Sequence, residues 1–173
     1  DVDLGDDVNV WYGAVLRADL QAISIGARSN IQDNAVIHVD EPDAPTIVGE
    51  DVTVGHSAIL HGCRVGRGAL IGMHSTVLNM AVIGEEAVVA AGALVTPGME
   101  VPPRMLVAGV PAKVRRAVTD EELAHLRHVR PGHPPHLGHH VMVERHDLLD
   151  GALRHHLDGH DYFVSLCTTC LLQ

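Results

Sequence analysis

The sequence predicts an all-β solenoid of six-residue repeats, followed by a short C-terminal α-helix, and three observations carry the prediction. Aliphatic residues recur every six positions at Val65, Ile71, Val77, Ile83, Val89 and Val95. Compact residues recur four positions after the aliphatic ones, at Val52, Ala58, Ala69, Ser75, Ala81, Ala87 and Ala93. Aromatic residues make up only 2% of a chain that is 46% hydrophobic, so the core must be built from Val, Ile, Leu and Ala in thin, regular layers. A period of six matches neither the 3.6 of a helix nor the alternation of a half-buried strand, but it suits short strands joined by tight turns. Each hexapeptide is then one flat side, and each coil buries its aliphatic column against the next.

The elements follow in order. Leu4, Val10 and Leu16 open the period, and Ile25, Ile31 and Ile37 resume it after three extra residues. Val48, Val54 and Leu60 continue it, and a slip of one residue then separates Leu60 from Val65. Between these sets Glu41 to Thr46, EPDAPT, carries two prolines and two acids and reads as a loop leaving the coil. Gly66, Gly72 and Gly84 directly follow aliphatic positions, which suggests turns with unusual backbone angles. After Gly109 and Pro111 the pattern changes. Thr119 to Glu122 form a capping-box signature, Leu123, Leu126 and Val129 line one helical side, and Pro131-Gly132 stop the helix.

Three segments result: a β-helix over residues 1–112, a C-terminal helix over 113–130, and an atypical tail over 131–173. The tail holds eight of the fourteen histidines and none of the repeat. It reads either as a poorly ordered extension or as a metal-binding tract, and Cys167-Thr-Thr-Cys170 alone is too little to decide. At 173 residues the chain is one domain with an addition. A formal charge of -10 argues against nucleic acid and anionic membranes as partners. No stretch is long enough for a membrane span, and Cys63, Cys167 and Cys170 suggest no disulfide framework, which fits a reducing cytoplasm. The chain opens on Asp1 already inside a repeat, so the lack of a targeting segment excludes nothing.

His38, His56 and His61, in VIHVD, VGHSA and ILHGC, are the candidate metal ligands. Eighteen residues separate His38 from His56, one full coil of three hexapeptides, so spacing places these two on equivalent sides of successive turns and His61 near the following corner. Three imidazoles with an open fourth position form a catalytic rather than a structural metal site, and a metal bound there lowers the pKa of its water to about 7. Against this stands the reading of each histidine as a surface or subunit-contact residue. Arg17 and Asp19 are placed to pair across a subunit contact, and Gln32, in Asn30-Ile31-Gln32-Asp33, to orient a hydroxide or a substrate oxygen. His74 reads as an ordinary corner residue and Cys63 as a small core residue.

The motifs LRAD, NIQD, VIHVD, VGH, LHGC, IGM and AGVPAK occur in order across residues 16 to 113, and the series resembles the γ-class carbonic anhydrases. That resemblance implies a left-handed β-helix, a homotrimer, and a zinc or iron(II) ion between subunits. His38 and His61 would come from one subunit and His56 from its neighbour. It further implies an intersubunit ion pair of Arg17 and Asp19, active-site roles for Asn30 and Gln32, and a structural acid at Asp33. The implied activity is reversible hydration of carbon dioxide by a metal-bound hydroxide. The chain departs from the family pattern in having Leu20 after Asp19 and a short loop after His38. Glu41 stands where a proton shuttle belongs, and is otherwise a solvated loop acid like Asp43. Short-loop relatives point to a metal-dependent acyl-CoA thioesterase as an alternative, and a non-catalytic trimeric subunit is another. An acyltransferase on the same coil would use histidine without metal, against which the three histidines and the RAD and NIQD segments argue.

Overall fold

The computed structural model describes residues 1–129, and the expectations for residues 131–173 lie outside them. Short strands wind into a left-handed parallel β-helix of about five turns. Three sheets form its faces. The first has six strands, from Val2–Leu4 through Thr46–Val48 to Glu100–Val101. The second has seven, from Asn9–Val10 to Lys113–Ala117, and the third has five, from Val15–Arg17 to Leu94–Val95.

Register explains both the period and its slips. In the upper coils Arg64 pairs with Val82, Leu70 with Val88 and Thr76 with Leu94, each eighteen residues on. Lower down Asn9 pairs with Asn30, twenty-one on, which absorbs the three extra residues. Ile23 pairs with Thr46, twenty-three on, because the loop joins that coil, and Ile47 pairs with Arg64, seventeen on, at the slip. From Ile25 to Val95 the aliphatic positions are buried, and Ile37, Leu60, Val77 and Val95 of the third face are each 0% exposed, whereas Leu4 on the first coil is 39% exposed. Each such side chain contributes roughly 1.5–3 kcal/mol by burial. Ala58, Ser75 and Ala93 fill one corner, where only a small residue fits.

Gly66, Gly72 and Gly84 serve a different purpose from the one expected. The left-handed corner conformation falls on other residues, such as Asn34, Ser57 and His74 with φ of 58°, 57° and 55°. Their N–H groups donate to Tyr12, Asp33 and His56 carbonyls of the coil beneath at 3.0, 2.9 and 3.0 Å, which holds them there. Gly72 instead lies so close to the next coil that a Cβ would meet Ala91 N at 2.5 Å and Val89 O at 2.6 Å. His74 is an exposed corner residue, as read from sequence.

The final segment divides differently from the expected 113–130 helix. Lys113–Ala117 is a strand, antiparallel to Met105–Ala108, and the helix runs over Asp120–Val129. The capping box forms: Glu122 N donates to Thr119 Oγ1 at 3.2 Å and Thr119 N to Glu122 Oε2 at 2.8 Å. Leu123 packs on Val88 and Val118 outside the second face, with Leu70, Leu106 and Leu126 around them. No helix among the described residues is long and apolar enough to cross a membrane.

Candidate metal centre

Spacing alone matches His38 with His56, but the structure stacks His38 on His61. Arg17, His38 and His61 share one position on three successive coils of the third face. The loop is the reason: it lengthens that coil to twenty-three residues, so the equivalent of His38 falls at His61. His56 occupies the preceding corner, below His74, whose N–H donates to its carbonyl. The loop is tied down beside the two stacked histidines. The Thr46 hydroxyl, 0% exposed as a residue, donates to the His38 carbonyl and accepts from Gly62 N at 2.9 Å. Gln21 Nε2 donates to the Pro42 carbonyl at 2.7 Å.

The hydrogen bonds fix the tautomers of both histidines. Arg17 Nη2 lies 3.2 Å from His38 Nδ1, and a guanidinium only donates, so His38 Nδ1 carries the lone pair. His38 Nε2–H then donates to Asp19 Oδ1 at 2.8 Å. Asp19 also pairs with Arg17 within the chain. The His38 bond first, then Asp19's own backbone N–H and after it Arg17, hold the Asp19 carboxyl below its ordinary range. On the other coil Asn79 Nδ2 donates to Asp40, which turns its Oδ1 toward His61 Nδ1 at 2.6 Å. His61 Nδ1–H is therefore the donor and Nε2 the lone pair. The two lone pairs face one another across 3.0 Å, with ring centroids 4.9 Å apart. Such a pair repels unless positive charge lies between or beside it.

The corner before the third face is sparser. Asp33 Oδ2 lies 2.9 Å from His56 Nδ1, which leaves His56 Nε2 as the outward nitrogen. Gln32 is half-buried on the same corner. Asn30 sits apart, in the strand Asn30–Ile31 of the second face, 2% exposed, with its amide donating to Asn9. Glu41 is exposed, and only its backbone N–H enters the network, donating to Asp40 Oδ1 at 2.9 Å. That bond, then Asn79, holds Asp40 below the ordinary carboxylate range. Cys63 is a core residue, a free thiol that burial pushes up to about 12.

The donors fit a borderline divalent metal. Each predicted ligand has one ring nitrogen against an oxygen, of Asp19, Asn79 or Asp33, as metal-binding histidines do, and turns the other away from it, that of His38 with Arg17 Nη2 beside it at 3.2 Å. Yet among the described residues of one chain no group of three or more such side chains could hold a metal ion. Two donors converge at one corner of the third face and the third stands at the other. Between them the face is apolar: Val15, Val36, Ile59, Thr76 and Leu94 lie in register on its outside, with Val15 49% and Ile59 39% exposed. Sequence reading missed the roles of Asn79, Thr46 and Gln21. Asn79 had a signal, since it lies one regular coil of eighteen residues past His61.

No protein-family profile matches the chain. It is 44% identical over 131 residues to the mitochondrial gamma carbonic anhydrase 2 of Arabidopsis thaliana, a match that takes in 73% of this chain and 47% of that protein. The chain thus spans about half the length of that relative. It is 48% identical over 127 residues to a protein of Methanocaldococcus jannaschii named "Probable carbonic anhydrase", covering 73% of this chain and 79% of that one. Among solved structures, a hexapeptide transferase family protein from Anaplasma phagocytophilum superposes with a TM-score of 0.72 at 44% identity, over 75% of this chain and 76% of that one. Fold and comparisons together define the class as hexapeptide-repeat β-helix proteins. Within that class the chain belongs to the γ-carbonic-anhydrase-like family.

Proposed function

We propose that this protein is a metal-dependent carbonic anhydrase of the γ class, which hydrates carbon dioxide reversibly to bicarbonate at sites shared between the subunits of a homotrimer. The observation that carries the reading is the pair of lone pairs on His38 Nδ1 and His61 Nε2, held 3.0 Å apart by Asp19 and Asn79. These two residues and His56 of a second copy would hold zinc or iron(II). When bound, the metal supplies an acidified water with a pKa of about 7.

The other steps belong to the chain. Asp19 and Asn79 keep the ring protons on the far nitrogens, so the ligand nitrogens stay deprotonated. Arg17 offsets the Asp19 charge at the rim of the site. Gln32 adjoins Asp33, the partner of His56, and its amide would orient a substrate oxygen when that corner meets the other. Asn30 anchors the strand that leads to Gln32. Glu41, exposed on the loop beside Asp40, would carry the released proton to solvent, because each turnover requires one to leave. The apolar outer column of the third face supports contact between copies, since it lies between the two half-sites. A cytoplasmic setting stays part of the proposal.

A second reading keeps the same half-sites and directs them at a thioester. It would need a groove for an acyl carrier, and the small depression lined by Ala44, Pro45, Gly62, Met80 and Val82 between Asp43 and Arg64 would seat only part of one. Stopped-flow hydration of carbon dioxide by anaerobically purified protein, loaded with zinc or iron(II) and checked for metal content and mass, decides between them. Metal-dependent hydration that His56→Ala abolishes is the expected result. An inactive, fully metallated trimer would reject the anhydrase reading and favour the thioester.

A further inference from the structure

One element of the site has no counterpart in the expectations drawn from sequence: the link from His61 through Asn79 to the loop. Asn79 stands on the coil above His61 and bonds in two directions, accepting at Oδ1 from His61 Nδ1 at 2.6 Å and donating from Nδ2 to Asp40. Asp40 is anchored in turn, by the N–H of Glu41 at 2.9 Å and by a two-way backbone pairing with Ala44 at 3.0 and 3.3 Å. A carboxylate accepts only, so Asp40 decides which end of the Asn79 amide faces it. The other end must then present an oxygen to His61.

We propose that Asn79 is a positioning residue for His61 and that Asp40 sets its orientation, so that a carboxylate–amide–imidazole relay determines which nitrogen of His61 faces His38. The loop between His38 and Thr46 thereby acts on the site through its fold. Without the relay, His61 would turn its proton toward His38 Nδ1, since a hydrogen bond across 3.0 Å is better than two opposed lone pairs. That alternative fills with a proton the space a metal would take. The relay therefore keeps the His61 lone pair facing that space in the metal-free protein, where Arg17 Nη2 lies 3.2 Å from His38 Nδ1. The inference rests on the proposed metal site for its purpose, but the tautomer it assigns can be tested without metal or turnover.

The test is nitrogen-15 NMR of histidine-labelled, metal-free full-length protein at about pH 8.5, where ordinary imidazoles are neutral. His61→Gln assigns the His61 signals. In the wild type His61 is expected as the Nδ1–H tautomer. Asp40→Asn, which keeps the shape of the side chain, lets the Asn79 amide turn over and should move His61 to the Nε2–H form. Zinc affinity, read on the same samples by chelator competition, should fall about 10–100-fold, the usual effect of losing such an outer partner. The reciprocal pair Asn79→Asp with Asp40→Asn restores an acceptor facing His61 and should recover both the tautomer and the affinity. A wild-type His61 already in the Nε2–H form, a tautomer that Asp40→Asn leaves unchanged, or a reciprocal pair that fails to recover it would each overturn the relay. A wild type with the expected tautomer that binds no zinc would leave the relay standing and reject the metal site.

Discussion

The two corners that flank the third face are built from the same hexapeptide turns but prepared to different degrees. At the far corner His38 and His61 stack in register, and Arg17, Asp19, Asn79, Asp40 and Thr46 secure them in a continuous network. At the near corner His56 has one acid, Asp33, and its side chain is 38% exposed. The loop, rather than the repeat, gives the stacked histidines their network. A regular coil would have stacked His38 on His56, whereas the inserted loop moves His61 into that place and supplies Asp40. His56 is left as a single outward donor, suited to a partner whose two donors are already arranged.

Substitutions separate the contributions of the two corners. The largest effect is expected from His61→Ala and His56→Ala, each of which should abolish stoichiometric zinc binding. Only the first should disturb the network around Asn79, a difference visible in the NMR signals of His38. Next in size, Leu60→Ala removes a 0% exposed side chain directly beneath the far corner and should cost roughly 2–5 kcal/mol in denaturant unfolding. Ile59→Asp, on the outer side of the same strand, should leave the coil folded by circular dichroism and yield a monomer without zinc. The smallest effect falls on the C-terminal helix. Arg116 first, and the Thr119 N–H second, hold Glu122 down to about 2, so its ionised form is favoured by folding. That contribution is complete above the ordinary glutamate range and is lost as pH falls toward about 2. The stability gap between wild type and Glu122→Gln should therefore close on acidification. A gap that stays constant would assign the effect to packing.

Much of the fold was legible because the repeat is a covalent regularity: one inward aliphatic residue per side, read every six positions, names the core from Ile25 to Val95. The slips were legible too, and each maps to a coil of irregular length. What was not legible followed from those irregular coils. Spacing set His38 beside His56 because it counted the loop residues as part of a regular coil. The tie between Asn79 and Asp40 was hidden because it joins residues far apart in the chain across the loop. Gly72 was misread because close approach between coils and positive φ select the same residue type. The strand Lys113–Ala117 was missed because it carries no repeat and every residue in it is exposed.

If the two corners complete one another only between copies, mixing subunits with opposite corners intact restores the site. His56→Ala keeps the far corner intact and His61→Ala keeps the near one, so neither variant alone holds a complete site. Unfolded together in equal amounts and refolded, they should regain about a quarter of the wild-type zinc and hydration activity, the share of contacts pairing two intact corners in a random cyclic trimer. A mixture that binds no more zinc than either variant alone, with mixed trimers confirmed by mass, would contradict the account.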